Sequence, residues 1–255
     1  MKVISLTSQK GGIAKTSSTI EIANILKERG YRVLVIDFDQ QCSLTKNVGA
    51  NLKGKTIYHV LHGDCPIKDA IQKNDLFDII PGSESLSRAE REFIHDDDNF
   101  ILADLAELIK DDYDFLFIDN APSRSKLLTM TYIAADYIII PTVCDESSID
   151  GVVVAQNDIK RLVEGRHHDS HAKVIGYILT NYESTTTMHA IAIENIKDIA
   201  KDNPNDPFIM MARKSIKMSE IKTLHTSMYK YQMGSPVARD YYAITDEILK
   251  RIGDE

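Results

Sequence analysis

Residues 8–18 read SQKGGIAKTSS, two lysines and a Thr-Ser-Ser run set around a pair of glycines. A turn that exposes successive backbone N–H groups where a helix begins is a cradle for an anion. Gly11, Gly12, Ile13, Ala14, Lys15, Thr16 and Ser17 would form that cradle, with Lys15 reaching terminal phosphates and the Thr16 hydroxyl on Mg²⁺. The standard glycine pattern is altered, because Gln9 stands where the first glycine would be and Ala14 where the last would be. If position 14 needs a left-handed backbone, alanine there costs on the order of 1 kcal/mol. The bland alternative is a tight turn carrying two solvated lysines.

Two further segments end in carboxylates. Residues 33–45, VLVIDFDQQCSLT, form an apolar run that delivers Asp37 and Asp39 on the same side of a strand pleat. Residues 113–123, YDFLFIDNAPS, form a second apolar run ending in Asp119, as expected of a carboxylate completing a Mg²⁺ shell beside a phosphate cradle. Taken singly, each is also what a helix-capping or strand-terminal aspartate looks like. Their order after the glycine-rich turn is what gives them chemical meaning.

The elements that must hold these groups follow from the hydrophobic pattern. Short β-branched apolar runs at residues 3–7, 33–36, 77–80, 115–118, 137–140, 174–179 and 208–210 alternate with segments of helical period. Helices are expected at 15–29, ending at Gly30, and at 99–110, 147–164, 189–200 and 240–252. Alternation of this kind predicts an α/β fold with a mostly parallel sheet of about seven strands and helices on both faces, and the phosphate-cradle turn between the first strand and the first helix makes it P-loop NTPase-like. Open sheets of that type bind ligands at the carboxyl ends of their strands, where the three motifs fall. The polar stretches 47–56 and 82–98 read as surface excursions, and 165–171 as a loop.

With 255 residues, 43% of them hydrophobic, one domain spanning 1–255 is expected, with no helix-turn-helix extension before its first strand. No apolar run is long enough for a bilayer, which predicts a cytoplasmic protein. Cys42, Cys65 and Cys144 form no CxxC pair and suit reduced thiols. His167, His168 and His171 share one polar loop, and His59 and His62 stand at helical spacing, so both groups read as ordinary residues and not as metal ligands. The net charge of -8 argues against general nucleic-acid binding. The sign reverses locally, because residues 209–239 hold Arg213, Lys214, Lys217, Lys222, Lys230 and Arg239 against Glu220 alone.

The glycine-rich turn with its additional lysine resembles the deviant P-loop of the ParA/MinD superfamily, and nearly the whole chain is similar to the ParA and Soj partition ATPases. The departures are Ala14, Gln40 where the family has proline, and Ala121 in the third motif. The resemblance implies an ATPase that binds ATP or ADP with Mg²⁺. It implies that Lys10 crosses an ATP-bound homodimer to the phosphates of the other subunit while Lys15 serves its own site. Thr16, Asp37 and Asp119 would then serve the metal, and Asp39 would orient or deprotonate the attacking water. Asn181 and Arg213 fall where relatives contact the nucleotide.

The same resemblance implies non-specific DNA binding in the ATP state, with Lys214, Lys217 and Lys222 as candidate phosphate contacts. It also implies a ParB-like centromere-binding partner that stimulates hydrolysis. One alternative is a MinD-like membrane-cycling regulator, disfavoured by the acidic end TDEILKRIGDE. Another is a nucleotide-gated DNA-binding module in which Ala14 has left little hydrolysis.

Overall fold

The computed structural model describes residues 1–183 and 187–253, the side chains of Thr187 and Met188 excepted. In chain order the strands are β1 (Lys2–Leu6), β2 (Val33–Phe38), β3 (Asp78–Ile80), β4 (Phe115–Asn120), β5 (Tyr137–Thr142), β6 (Lys173–Tyr182) and β7 (Phe208–Arg213). The α-helices are α1 (Lys15–Glu28), α2 (Ser43–Asn47), α3 (Ile57–Leu61), α4 (Ala89–Glu92), α5 (Ile101–Glu107), α6 (Lys126–Ala134), α7 (Glu146–Glu164), α8 (Thr187–Lys201), α9 (Lys217–Thr223), α10 (Met228–Gln232) and α11 (Pro236–Ile252).

Among the described residues the strands form one seven-stranded sheet in the order β3-β2-β4-β1-β5-β6-β7, with every neighbouring pair parallel. β2 and β4 are buried along their whole length, which is why they read as unbroken apolar runs. The two sheet faces hold separate cores. Ile20, Ile22, Leu26, Ile221, Val237, Ile244 and Ile248 bring α1, α9 and α11 onto one face, where Met228 adds α10. On the other face α3, α5 and α6 pack through Ile57, Leu102 and Met130, while α7 and α8 pack through Val152, Ile159 and Ile196. The connection leaving β1 runs to one side of the sheet and that leaving β4 to the other, so the crevice lies at the carboxyl ends of these central strands.

All seven expected strands are present, with ends that differ by a few residues. Three expectations about helices and loops are corrected. Residues 82–98 are not a plain surface excursion, since Leu86, Ala89 and Phe93 are buried and α4 lies within the segment. The helix expected at 99–110 is preceded by a 3₁₀ turn at Asp97–Phe100 and is helical only over Ile101–Glu107. The helix expected to begin at 240 begins at Pro236, because the Ser235 hydroxyl accepts from the Ala238 N–H and proline suits the first helical position. The acidic chain end read from the sequence includes residues 254–255, which lie outside the described residues. Among the described residues no helix is long and apolar enough to cross a membrane.

Candidate active site

The turn between β1 and α1 is built around two left-handed residues, Gly12 at φ 76° and Ala14 at φ 63°. Glycine adopts that conformation freely, whereas alanine brings its Cβ too close to the following carbonyl. The condition placed on Ala14 by sequence reasoning is therefore met. Thr180 pins the strained turn, its hydroxyl donating to the Ile13 carbonyl at 2.9 Å from the end of β6. Residues 11–17 line one wall of a cleft of about 690 Å³, and Asp39, Asn120, Asn181, Arg213, Lys214 and Lys222 line others.

Lys15 is only 7% exposed. Burial lowers its ammonium from the ordinary value, and the charges of Asp119 and Asp39 oppose that shift. A desolvated cation at the floor of a cradle is a strong partner for a polyanion. Thr16 donates its hydroxyl to Asp119 Oδ2 at 2.7 Å. The other oxygen, Asp119 Oδ1, is buried and has no hydrogen-bond partner among the described residues. Burial, and after it the charge of Asp37, pushes Asp119 up to about 7. An orphaned buried carboxylate oxygen beside a threonine hydroxyl fits a hard divalent cation with oxygen ligands.

Asp37 plays a different part. Its Oδ2 accepts from the Thr45 N–H at 2.8 Å and the Thr45 hydroxyl at 2.6 Å, and its Oδ1 accepts from the Asp39 N–H at 3.3 Å. Both oxygens are engaged, so Asp37 shapes the loop carrying Asp39 and can assist a metal only from beyond its direct ligands. Gly82 closes this arrangement, since a Cβ there would lie 2.9 Å from Asp37 Cγ, and its N–H donates to the Thr45 hydroxyl at 3.0 Å. Asp39 stands just past the strand end, half-buried, and accepts from the Gln41 N–H at 2.9 Å.

The remaining sequence candidates fall in three places. Asn181 and Arg213 are on the cleft wall, with Asn181 at φ 52° and Arg213 in a bidentate pair with Asp240. Lys214 and Lys222 also line the cleft, whereas Lys217 stands outside it and donates to Gln232 at 2.7 Å. Lys214 pairs with Glu183 at 3.2 Å. Lys10 is not part of the cleft wall. Its ammonium lies 2.8 and 2.7 Å from the two carboxylate oxygens of Asp145 and 2.8 Å from the Ser147 hydroxyl, at the start of α7. Burial works against it, but hydrogen bonds from Lys10 and Ser148 hold Asp145 down to about 2.

Sequence reasoning missed Thr45, Gly82, Asp145 and Thr180. Asp145 carries a readable signal as a helix cap, since its side chain accepts from the Ser148 N–H. Its pairing with a residue 135 positions away has no local signature. The histidines named from the sequence have ordinary surroundings. His59 bonds Thr56, His62 bonds Glu92, and His167, His168 and His171 are exposed in one loop.

A family profile described as an AAA domain matches residues 1–171. The chromosome partitioning protein ParA of Myxococcus xanthus is 27% identical over 98% of this chain and 88% of its own length. The sporulation initiation inhibitor protein Soj of Bacillus subtilis is 27% identical over 97% of this chain and 98% of its own. Among solved structures, an ATP complex of a variant of Cyanothece McdA superposes with a TM-score of 0.86 at 19% identity, covering 100% of this chain and 97% of that one. A plasmid partition protein of Borrelia burgdorferi superposes with a TM-score of 0.78 at 22% identity, covering 98% and 99%. The fold, the order of motifs around the cleft and the match over most of the chain place this protein in the AAA domain family, alongside ParA and Soj proteins.

Proposed function

We propose that the protein is a partition-type ATPase, a switch that binds ATP with Mg²⁺, dimerises, holds non-specific DNA and releases it after hydrolysis stimulated by a ParB-like partner. The observation that carries the reading is the division between two lysines. Lys15 is buried at the floor of its own cleft, while Lys10 lies outside the cleft wall and is tied to α7. A second lysine that does not serve its own phosphate cradle is suited to serve another subunit's. The name of the Myxococcus xanthus relative supports the same reading.

In this chain Gly11–Ser17 bind the phosphates through backbone N–H groups, Lys15 neutralises their charge, and Thr16 with Asp119 hold the cation. When bound, Mg²⁺ supplies Lewis-acid stabilisation of phosphoryl oxygens. Asp39, at the cleft and not committed to a buried partner, orients the attacking water or takes its proton. Asn181 and Arg213, on the cleft wall, would contact the nucleotide. Lys214, Lys217 and Lys222 are exposed and belong to the basic 209–239 segment, so in a dimer two such patches would add along one duplex.

Retention on non-specific duplex DNA with ATP, with ADP and with the Lys15→Ala and Lys10→Ala variants tests the reading, beside an anionic-liposome control. Retention that needs ATP, Lys15 and Lys10 supports it. Retention on liposomes alone replaces it with a membrane-cycling regulator. Phosphate release no faster than that of Asp39→Ala reduces the protein to a nucleotide-gated binding module.

A further inference from the structure

Helix α7 touches the phosphate turn at two points, and only one of them is Lys10. Gln9, the residue that replaces the first glycine, donates through Nε2 to Asp158 Oδ2 at 2.9 Å. The same carboxylate receives Arg124 from another direction, Nε to Oδ2 and an Nη to Oδ1, both at 2.7 Å. Arg124 lies in the loop that follows Asp119, and Pro122 of that loop packs against the turn, since a Cβ at Gly11 would lie 3.8 Å from Pro122 Cγ. One carboxylate therefore joins three segments: the turn that cradles phosphate, the loop that follows the metal-binding aspartate, and the helix whose first turn holds Lys10.

We propose that Asp158 is a positioning residue for ATP hydrolysis, clamping Gln9 to Arg124 so that the two walls of the phosphate site keep a fixed separation. The Asp158 side chain is 17% exposed, whereas that of Arg124 is 58% exposed. A planar guanidinium that meets a carboxylate at two points fixes orientation as well as distance. Among the described residues Asp158 makes no hydrogen bond to those proposed to hold nucleotide or metal. Its effect is on where the Lys10 backbone and the 120–124 loop stand. Arg161 reaches the same carboxylate only at 4.0 Å and is the weaker partner.

The inference rests on the ATPase reading, so its test has an arm that needs no turnover. Asp158→Ala should lower kcat at saturating Mg-ATP about tenfold, the order expected of a small misplacement in a phosphoryl-transfer site. Nucleotide affinity should change less than about threefold, because the backbone cradle and Lys15 remain. Asp158→Glu should recover most of the rate. Arg124→Ala removes an exposed side chain and should show the same split of kcat from affinity should Asp158→Ala fold poorly. Adding Gln9→Ala to Asp158→Ala should cost nothing more, as members of one clamp are not additive.

In parallel, amide exchange at residues 9–12 and 120–125 should quicken in Asp158→Ala while the β2 strand stays protected. A rate within twofold of wild type overturns the clamp. Affinity falling in step with kcat overturns it too, since that marks general loss of the fold. Unchanged exchange in the two loops overturns it whether or not the chain turns over. Faster exchange in Asp158→Ala, found where the wild type itself hydrolyses no ATP, supports the clamp and sinks the ATPase reading instead.

Discussion

Asp37 and Asp119 are register partners on adjacent strands, facing each other across the β2–β4 ladder with 0% and 1% of their surface exposed. Burial pushes Asp37 up to about 6 although Thr45 and the Asp39 N–H favour its charged form. Two buried carboxylates beside one another are an unfavourable arrangement when both are charged. Thr16 answers one oxygen of Asp119, and the other is unanswered among the described residues. On the proposed function, a divalent cation would complete such a pair.

Asp119→Asn should therefore stabilise the protein without nucleotide while damaging its function. The amide retains an oxygen for the Thr16 hydroxyl and removes the buried charge. At pH 8 the unfolding free energy should rise by about 1 kcal/mol, as is common when a strained functional residue is neutralised. The stabilisation that Mg-ATP gives the wild type should disappear. Chemical denaturation with and without Mg-ATP measures both, and a destabilised variant without ligand contradicts the argument.

Ala14→Gly should raise stability at the phosphate turn. At φ 63° alanine is in the left-handed region, and glycine relieves about 1 kcal/mol there, partly offset by its freer unfolded chain. Denaturant unfolding should shift to a higher midpoint with unchanged slope. Nucleotide affinity should hold or improve, because no methyl group then stands beside the phosphates. A lower midpoint means that Thr180 and its neighbours have adapted the turn to alanine.

What the sequence disclosed and what it hid divide by the range of the interaction. Central strands such as β2 and β4 were legible because residues buried on both faces make apolar runs of strand length, and the carboxyl-end motifs follow from where those runs stop. Lys15 and Thr16 were legible because the spacing of a phosphate cradle is local, and Asp119, 103 positions from Thr16, because it ends an apolar strand run of its own. Helix α6 escaped notice because Lys126–Ala134 is apolar nearly all round, with Leu127 and Leu128 serving different cores, so it has no polar stripe. The start of α11 was missed although Ser235 and Pro236 mark it. Asp145 and Asp158 were invisible as site residues because each acts on a turn more than 130 positions away. Charge counting did not reveal that Lys214 and Lys222 of the basic segment line the cleft while Lys217 stands outside it.

Glu21 should make stability depend on pH. It is 0% exposed on α1 and accepts from the Met228 N–H at 2.6 Å and the Tyr229 N–H at 3.2 Å. Burial pushes it up to about 7 from the ordinary 4.5, against the pull of those two bonds. A carboxyl raised on folding contributes most when protonated in both states. Its contribution is whole below about pH 4.5 and is lost as pH rises to about 7, at up to about 1.4 kcal/mol per unit. Glu21→Gln mimics the protonated form, so the stability of wild type relative to this variant should fall between pH 5 and 7. Denaturation of both proteins across that range isolates Glu21 from Asp37 and Asp119, and a flat difference contradicts its raised value.

Asp145→Asn should lower the ATP concentration at which the protein is retained on DNA. Lys10 and Asp145 have side chains 38% and 41% exposed, so solvent screens their pairing and its worth to folding is at most about 1 kcal/mol. Asparagine keeps the oxygen that accepts from the Ser148 N–H, now at 2.9 Å, so α7 stays capped and the melting temperature should barely move. If Lys10 must leave Asp145 to meet phosphates across a dimer, removing the carboxylate charge shifts that exchange by up to about 1 kcal/mol, or roughly two- to fivefold in half-saturating ATP. ATP titrations of DNA retention measure the shift. The double variant Lys10→Ala, Asp145→Asn should gain nothing, because the effect runs through the lysine. A higher ATP requirement in Asp145→Asn would show instead that Asp145 delivers Lys10 to its target, and the pair would then be a guide and not a restraint.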